Sequence, residues 1–228
     1  MPKPPVMDFR ALYDAFNAPI TAIDCGMMCA PHNPNKIPFC CDICNAVPVG
    51  YQSEWQYLRK NTTIWHDWRG DECAGEDNNR DQLTAQTPPH LRLLACDGPV
   101  ACQRNFRAVS CRQFPFSPYL TSDYRFIGMT YDWDFADKCW VISNLPMVTA
   151  EYRRQFFNAF DRIFSTWLED MDSYIELSSE IREHYTAIHR RIPLLHRNGG
   201  AYLISPVSEK MVRTPIHTFK KYAPYSGS

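Results

Sequence analysis

The sequence predicts an α+β fold that is mainly helical, with a loop-rich, metal-binding cysteine region covered by a pair of C-terminal helices. Three observations lead to this prediction. Apolar residues recur at helical spacing over 149–192. Periodicity disappears over 21–48, where prolines and asparagines accumulate. Eight of the ten cysteines form two groups, one within 25–44 and one within 96–111.

Size and composition predict one globular domain. We divide the 228 residues into a metal-binding core (20–120), a helical cover (149–192) and a surface tail (205–228). The formal net charge of -1 gives no general attraction to nucleic acid or to a membrane surface. No run of about 18 apolar residues is present, so we expect no membrane-spanning helix. The N-terminus does not resemble a secretory signal, and we expect a cytoplasmic protein.

The first half of the chain is expected to contain two helices and one strand. An amphipathic helix is predicted over 4–16, where apolar residues share one face. These residues are Val6, Phe9, Leu12, Tyr13 and Phe16. A second helix is predicted over 53–68, with Ser53 as its N-cap. A polar surface loop (69–89) then leads to a short strand (91–95).

The second half is expected to be extended first and helical later. Asp97-Gly98-Pro99 is a strong turn signal. Alternating aromatic and polar residues within 124–141 favour a half-buried strand. An apolar stripe over 149–192 predicts two helices, with a break near Asp172. The tail from 205 onward is expected to lie on the surface or to fray.

Clustered cysteines in a reducing cytosol are more often metal ligands or redox groups than disulfides. The alternative is a secreted, disulfide-bonded protein. The segment 21–48 is rich in loops and has no obvious way to bury enough apolar surface to hold itself together. We therefore expect metal ligation to supply the missing order in this segment.

Nine cysteines are candidate metal ligands because they lie close in sequence or in an aromatic setting. They are Cys25, Cys29, Cys40, Cys41, Cys44, Cys96, Cys102, Cys111 and Cys139. Cys73 stands apart, and we expect it not to ligate. More than four candidates implies either a second metal site or cysteines that do not ligate. Arg104, Arg107 and Arg112 would lower the cost of thiolate charge, or else they are surface charges.

The segment from Cys102 to Phe116 resembles the YkgJ-like CxxCxxCC family of zinc- or iron-chelating domain proteins. Cys102, Arg107 and Cys111-Arg112-x-Phe114-Pro115 are in register with the family pattern, while Ala108 replaces a proline. The family's compact first cluster is opened here to Cys25-x3-Cys29-x10-Cys40-Cys41, and Cys44 is extra. The resemblance covers about 25–118 and implies metal chelation by cysteine. Flagellin lysine N-methylases carry a related pattern, which implies an iron–sulfur centre in a methyl-transferring protein.

Three functions remain open from the sequence. The first is an iron–sulfur protein with a [4Fe–4S] cluster, in a redox or cluster-dependent role with an electron-transfer partner protein. The second is a structural zinc module without catalysis. The third is a cluster-containing modifying enzyme, such as a methyltransferase-like protein. The sequence indicates no catalytic residue, no phosphate-binding glycine loop and no oligomeric state.

Overall fold

The computed structural model describes residues 7–73 and 80–227. The chain divides into two compact units. The unit that we call the cysteine unit comprises the described residues of 7–17 and 26–113. The unit that we call the sheet unit comprises the described residues of 18–25 and 114–227. Each unit is described by itself below.

The cysteine unit contains a three-stranded antiparallel sheet. Its strands are β1 (Val49–Tyr51), β2 (Trp65–Asp67) and β3 (Leu91–Cys96), in the order β1-β3-β2. The α-helices of this part of the chain are α1 (Phe9–Ala15), α2 (Cys25–Cys29), α3 (Gln52–Asn61), α4 (Arg80–Gln86), α5 (Gly98–Ala101) and α6 (Val109–Gln113). Three 3-10 helices are Ala30–His32, Phe39–Cys41 and Arg104–Phe106. The first half of β3 (91–93) pairs with β1 and its second half (94–96) pairs with β2, which fixes Cys96 opposite Trp65.

Two helices predicted in the cysteine unit have different outcomes. The helix predicted over 4–16 is confirmed as α1, although 4–6 lie outside the described residues. Asp8 caps α1 by accepting a hydrogen bond from the Ala11 amide. The helix predicted over 53–68 is wrong beyond Asn61, where α3 ends, and β2 begins at Trp65. The residues after Asn61 are β-branched or aromatic, and pairing with β3 satisfies their backbone groups.

The sheet unit contains a five-stranded antiparallel sheet. Its strands, in spatial order, are β4 (Phe116–Leu120), β5 (Phe126–Tyr131), β6 (Ile192–His196), β7 (Ala201–Ile204) and β8 (Met211–Arg213). Its helices are α7 (Trp140–Ser143), α8 (Ala150–Thr166) and α9 (Leu168–Ala187). Four 3-10 helices are Trp133–Phe135, Leu145–Met147, Ile216–Thr218 and Tyr225–Gly227.

The prediction of a mainly helical fold is wrong, although the α+β class is consistent with the structure. Two helices do form in 149–192, but the break is at Trp167 rather than near Asp172. Their predicted role as a cover of the cysteine region stays a prediction. The apolar face of α9, with Ile181 and Tyr185, packs on the five-stranded sheet of its own unit.

The strands after α9 were missed because the apolar run that contains them resembles a continued helix. The helix ends at Ala187, and His189 takes a left-handed conformation with φ of 54°. The run from Ile192 then forms β6 in the interior of the sheet. The tail is also more ordered than expected, since β8 pairs with β7 and Phe219 and Tyr225 are buried. The extended segment predicted over 124–141 is a strand only over 126–131, and 3-10 and α-helical turns follow it.

Candidate metal centre

The loop that carries Cys40 and Cys41 is held together by a buried aspartate. The Asp42 side chain is buried and accepts hydrogen bonds from the amide groups of Asn33 at 3.0 Å, Asn35 at 2.9 Å and Asn45 at 3.0 Å. Its other oxygen accepts from the Cys44 backbone N–H at 3.1 Å. Burial acts to raise the pKa of Asp42, but these four donors outweigh it and lower the pKa. We expected a metal to supply the order of this loop. The hydrogen bonds to Asp42 provide order from within the chain itself.

Replacing Asp42 with alanine is expected to destabilise the cysteine unit by about 2 to 4 kcal/mol, because four donors lose their acceptor. Since the pKa of Asp42 is lowered on folding, its contribution is fully present above the ordinary aspartate pKa and is lost as the pH falls through the lowered value. The measurement is hydrogen exchange of the cysteine-unit amides as a function of pH. The matched control is Asn35→Ala, which removes one exposed donor and should cost less than about 1 kcal/mol. Equal losses for the two variants would contradict this account.

Four of the candidate cysteines interact with one another in the cysteine unit. We call Cys41, Cys96, Cys102 and Cys111 the four-cysteine group. Cys41 ends a 3-10 helix, Cys96 ends β3, Cys102 caps α5 and Cys111 lies in α6. The charges of Cys41 and Cys102 act on Cys96, and those of Cys96 and Cys41 act on Cys111. Folding thus brings one cysteine of the first sequence group beside three of the second.

The turn between Cys96 and Cys102 forms as predicted. Gly98 has a φ of 83°, which a residue with a side chain rarely adopts, and α5 begins there. The Gly98 N–H donates a hydrogen bond to Cys96, which favours the thiolate form. The Cys102 N–H closes the turn on the Pro99 carbonyl at 3.3 Å. The turn therefore positions two sulfurs and supplies one of them with a donor.

Arg107 is the cation of the four-cysteine group. Its Nε donates to the Cys102 sulfur at 3.2 Å. Burial acts to lower the pKa of Arg107, but the Cys102 contact and the charges of Cys41 and Cys111 raise it overall. A guanidinium held among sulfurs lowers the cost of thiolate charge, as the sequence suggested for this arginine.

Ionisation of two thiols of the group, Cys96 and Cys111, is unfavourable when no cation is bound. Loss of water contact raises the pKa of Cys96, and the charges of Cys41 and Cys102 add to it. Loss of water contact also raises the pKa of Cys111, with further increases from Cys96 and Cys41. Because like charges and burial both oppose ionisation, a cation bound among these sulfurs would offset the cost. Four thiols with one guanidinium have the chemical type of a soft-metal or iron–sulfur site, although no three of them stand in metal-binding geometry in the described residues.

A buried glutamate supports the helix that carries Cys111. The Glu54 side chain is 0% exposed, and it accepts hydrogen bonds from the Tyr13 hydroxyl at 2.6 Å and from the Val109 N–H at 2.7 Å. Its second oxygen accepts from the Tyr51 N–H at 3.2 Å. Burial raises the pKa of Glu54, although the three donors act to lower it. Glu54 thereby fixes the first residue of α6 two positions before Cys111.

Arg112 has a different role from Arg107. Its guanidinium lies over the Tyr13 ring, 4.2 Å from the ring centroid, and is buried. It donates to six acceptors, which are the carbonyls of Tyr13, Phe16, Arg104, Asn105 and Arg107 and the side-chain oxygen of Asn17. Arg112 therefore ties α6 to the end of α1 and to the segment around Cys102. It organises backbone rather than lying among the sulfurs.

Sequence reasoning missed these supporting residues. Glu54 stands at the third position of α3 and accepts from the N-cap amide, which is half of a capping box. That position is a recognisable signal, but its burial depends on Tyr13 and Val109, which are distant in sequence. Of the asparagines around Asp42, Asn33 and Asn35 were recognised only as loop markers, and Asn45 was not considered.

Of the other candidate cysteines in the cysteine unit, Cys40 lies beside a member of the group, whereas Cys44 and Cys29 have different partners. Cys44 forms a disulfide with Cys73, with an S–S distance of 2.13 Å, so neither sulfur is available as a thiolate in this state. The expectation that Cys73 is a bystander missed this bond. The Cys40 and Cys41 sulfurs are 4.0 Å apart, and the Cys29 sulfur contacts the Gly26 carbonyl at 3.6 Å.

Two candidates, Cys25 and Cys139, belong to the sheet unit. Both lie near the buried Tyr152, whose pKa is raised first by burial and then by the charges of these two cysteines. Cys139 is the N-cap residue of α7. The structure thus places these two sulfurs beside one tyrosine of the sheet unit.

The remaining findings bear on the whole described chain. Within 7–73 and 80–227, no three or more His, Cys, Asp or Glu side chains have a geometry that could hold a metal ion. In the same ranges no helix combines the length and apolar character needed to cross a bilayer. Comparison of the chain with protein-family models, with curated proteins and with solved structures finds no match.

Proposed function

We propose that the cysteine unit binds a [4Fe–4S] cluster through Cys41, Cys96, Cys102 and Cys111, in a redox or cluster-dependent role. The observation that carries the proposal is that these thiols, from three separate segments, lie close enough for the charges of Cys41 and Cys102 to raise the pKa of Cys96 and those of Cys96 and Cys41 to raise the pKa of Cys111. Thiolates are the usual ligands of such clusters. The resemblance of Cys102–Pro115 to the YkgJ-like pattern supports the same assignment.

The chain's own residues would prepare the site in three ways. Arg107 offsets thiolate charge through its contact with Cys102. The Gly98 N–H donates to Cys96, and hydrogen bonds of this kind to ligating sulfurs raise the reduction potential of a cluster. The Ser110 hydroxyl, next in sequence to Cys111, is buried with no hydrogen-bond partner among the described residues, and it would be available as a further donor. When bound, the cluster would supply one-electron transfer.

The same proposal places the protein in the cytoplasm, with an electron-transfer partner protein. Thiols persist as metal ligands where the compartment keeps them reduced. All ten cysteines lie in the described residues, and eight of them are outside any disulfide there, whereas the Cys44–Cys73 bond would be reduced in such a compartment. Structural zinc is the competing occupant, because four thiolates suit it equally well.

The deciding experiment is purification of the full chain under anaerobic conditions, followed by iron, sulfide and zinc analysis. We expect a brown protein with broad absorbance near about 400 nm that bleaches on reduction, with about four irons and four sulfides per chain. Single Cys→Ser variants at Cys41, Cys96, Cys102 and Cys111 should each lower the bound iron several-fold.

The matched control is Cys73→Ser, a cysteine outside the four-cysteine group, which should retain the iron. A colourless protein that carries stoichiometric zinc after anaerobic purification would contradict the cluster and favour a structural zinc site. Iron retained in all four serine variants would remove the proposal altogether.

A further inference from the structure

The sheet unit contains a cavity whose charged residues are all positive. It has a volume of about 510 Å³ and lies beside α8, the β6–β7 turn and the end of β8. Its lining includes Arg153 and Arg213 and no aspartate or glutamate. The remaining lining is small or neutral, including Gly199, Gly200 and Thr214. This volume is within the range of small-molecule sites.

Arg153 is held in place without a carboxylate. Its Nη2 donates to the carbonyls of His196 and Gly200, both at 3.1 Å. A guanidinium has five N–H donors, so three remain for another acceptor. Among the described residues, Arg153 forms no ion pair. Its pKa is lowered by burial alone, in agreement with the lack of a nearby negative charge.

The neighbouring arginines differ because each has an acid partner. Arg154 pairs with Glu151 through two contacts, at 2.9 and 2.5 Å. Arg197 pairs with Asp161 at 2.6 Å. The acidic residues beside Arg153 on α8 are therefore already engaged elsewhere. The positive charge of Arg153 contributes to the lowered pKa of His196, after burial and the charge of Arg197.

From these observations we propose that this cavity is a binding site for an oxyanion, with Arg153 as the fixed anchor and Arg213 as the second cation. Arginine N–H groups match the oxygens of phosphate and carboxylate groups in pairs. Because two carbonyls orient Arg153 before any ligand arrives, little side-chain entropy remains to be lost on binding. The cavity is larger than a single anion, so we expect the anion to be one group of a small organic molecule.

The test uses the full-length protein and inorganic phosphate, with calorimetry and thermal unfolding at constant ionic strength. We expect saturable phosphate binding to the wild type. Arg153→Gln should weaken it by at least about tenfold, equivalent to about 1.4 kcal/mol. Arg213→Gln should weaken it several-fold, and because Arg213 is exposed this variant should fold normally. Arg154→Gln, on the next residue of the same helix, should bind as the wild type does.

Two further arms identify the anion. Acetate at the same ionic strength tests whether a carboxylate is accepted, and phenyl phosphate tests whether an attached organic group improves affinity. If the wild type binds either probe and Arg153→Gln does not, the result supports the site and shows which anion it accepts. An equal response to phosphate and chloride, or an unchanged response in both Arg153→Gln and Arg213→Gln, would overturn the proposal.

Discussion

Replacing Arg112 with lysine is expected to destabilise the cysteine unit by about 3 to 5 kcal/mol. The five N–H groups of the guanidinium are shared among six acceptors, of which Nη1 contacts three, and an ammonium group has only three donors. Its stacking on Tyr13 would also be lost. We would measure the loss by hydrogen exchange of the amides in α3 and β3, because a chain with two units need not unfold in a single step.

The control for Arg112 is Arg10→Ala. Arg10 is an exposed residue of α1 in the same unit, and its replacement should change stability by less than about 0.5 kcal/mol. If Arg112→Lys were as mild as Arg10→Ala, the role of Arg112 in joining α1, α6 and the segment around Cys102 would be refuted.

Replacing Glu54 with alanine is expected to cost a similar amount, about 3 to 5 kcal/mol. The change removes the acceptor of Tyr13, Val109 and Tyr51, and it opens a space in a fully buried position. Glu54→Gln should cost less, about 2 kcal/mol, because an amide oxygen can still accept from some of these donors. Asp14→Asn, at an exposed site of α1, is the matched control and should be near neutral.

Glu54 also gives the wild type a characteristic pH dependence. Because its pKa is raised on folding, the folded state binds the proton more tightly than the unfolded state. The contribution of this group to stability therefore falls as the pH rises from the ordinary glutamate pKa through the raised value. Glu54→Gln has no such group, so its deficit relative to the wild type should shrink with rising pH over that window. A deficit that grows with rising pH would contradict the raised pKa.

The sequence predicted those elements whose conformation is set by residues close together in the chain. The stripe of apolar residues at helical spacing predicted α1 and the α8–α9 pair, because an amphipathic helix shows its buried face in its period. Asp97-Gly98-Pro99 predicted a turn, because Gly98 supplies a backbone conformation that few residues adopt. By contrast, two segments form strands by pairing with distant parts of the chain, namely Trp65–Asp67 and Ile192–His196. A short apolar run has no distinctive period, so the sequence does not reveal such strands.

The sequence by itself determined the number of cysteines and their grouping into two segments, which are visible without a fold. It also determined the helical pair and the absence of a strong overall charge. Only the tertiary structure decided that Cys41 joins Cys96, Cys102 and Cys111 while Cys44 bonds to Cys73. It likewise decided that Arg112 and Glu54 are buried supports. Each of these facts depends on contacts between residues far apart in the chain, and spacing along a sequence does not specify such contacts.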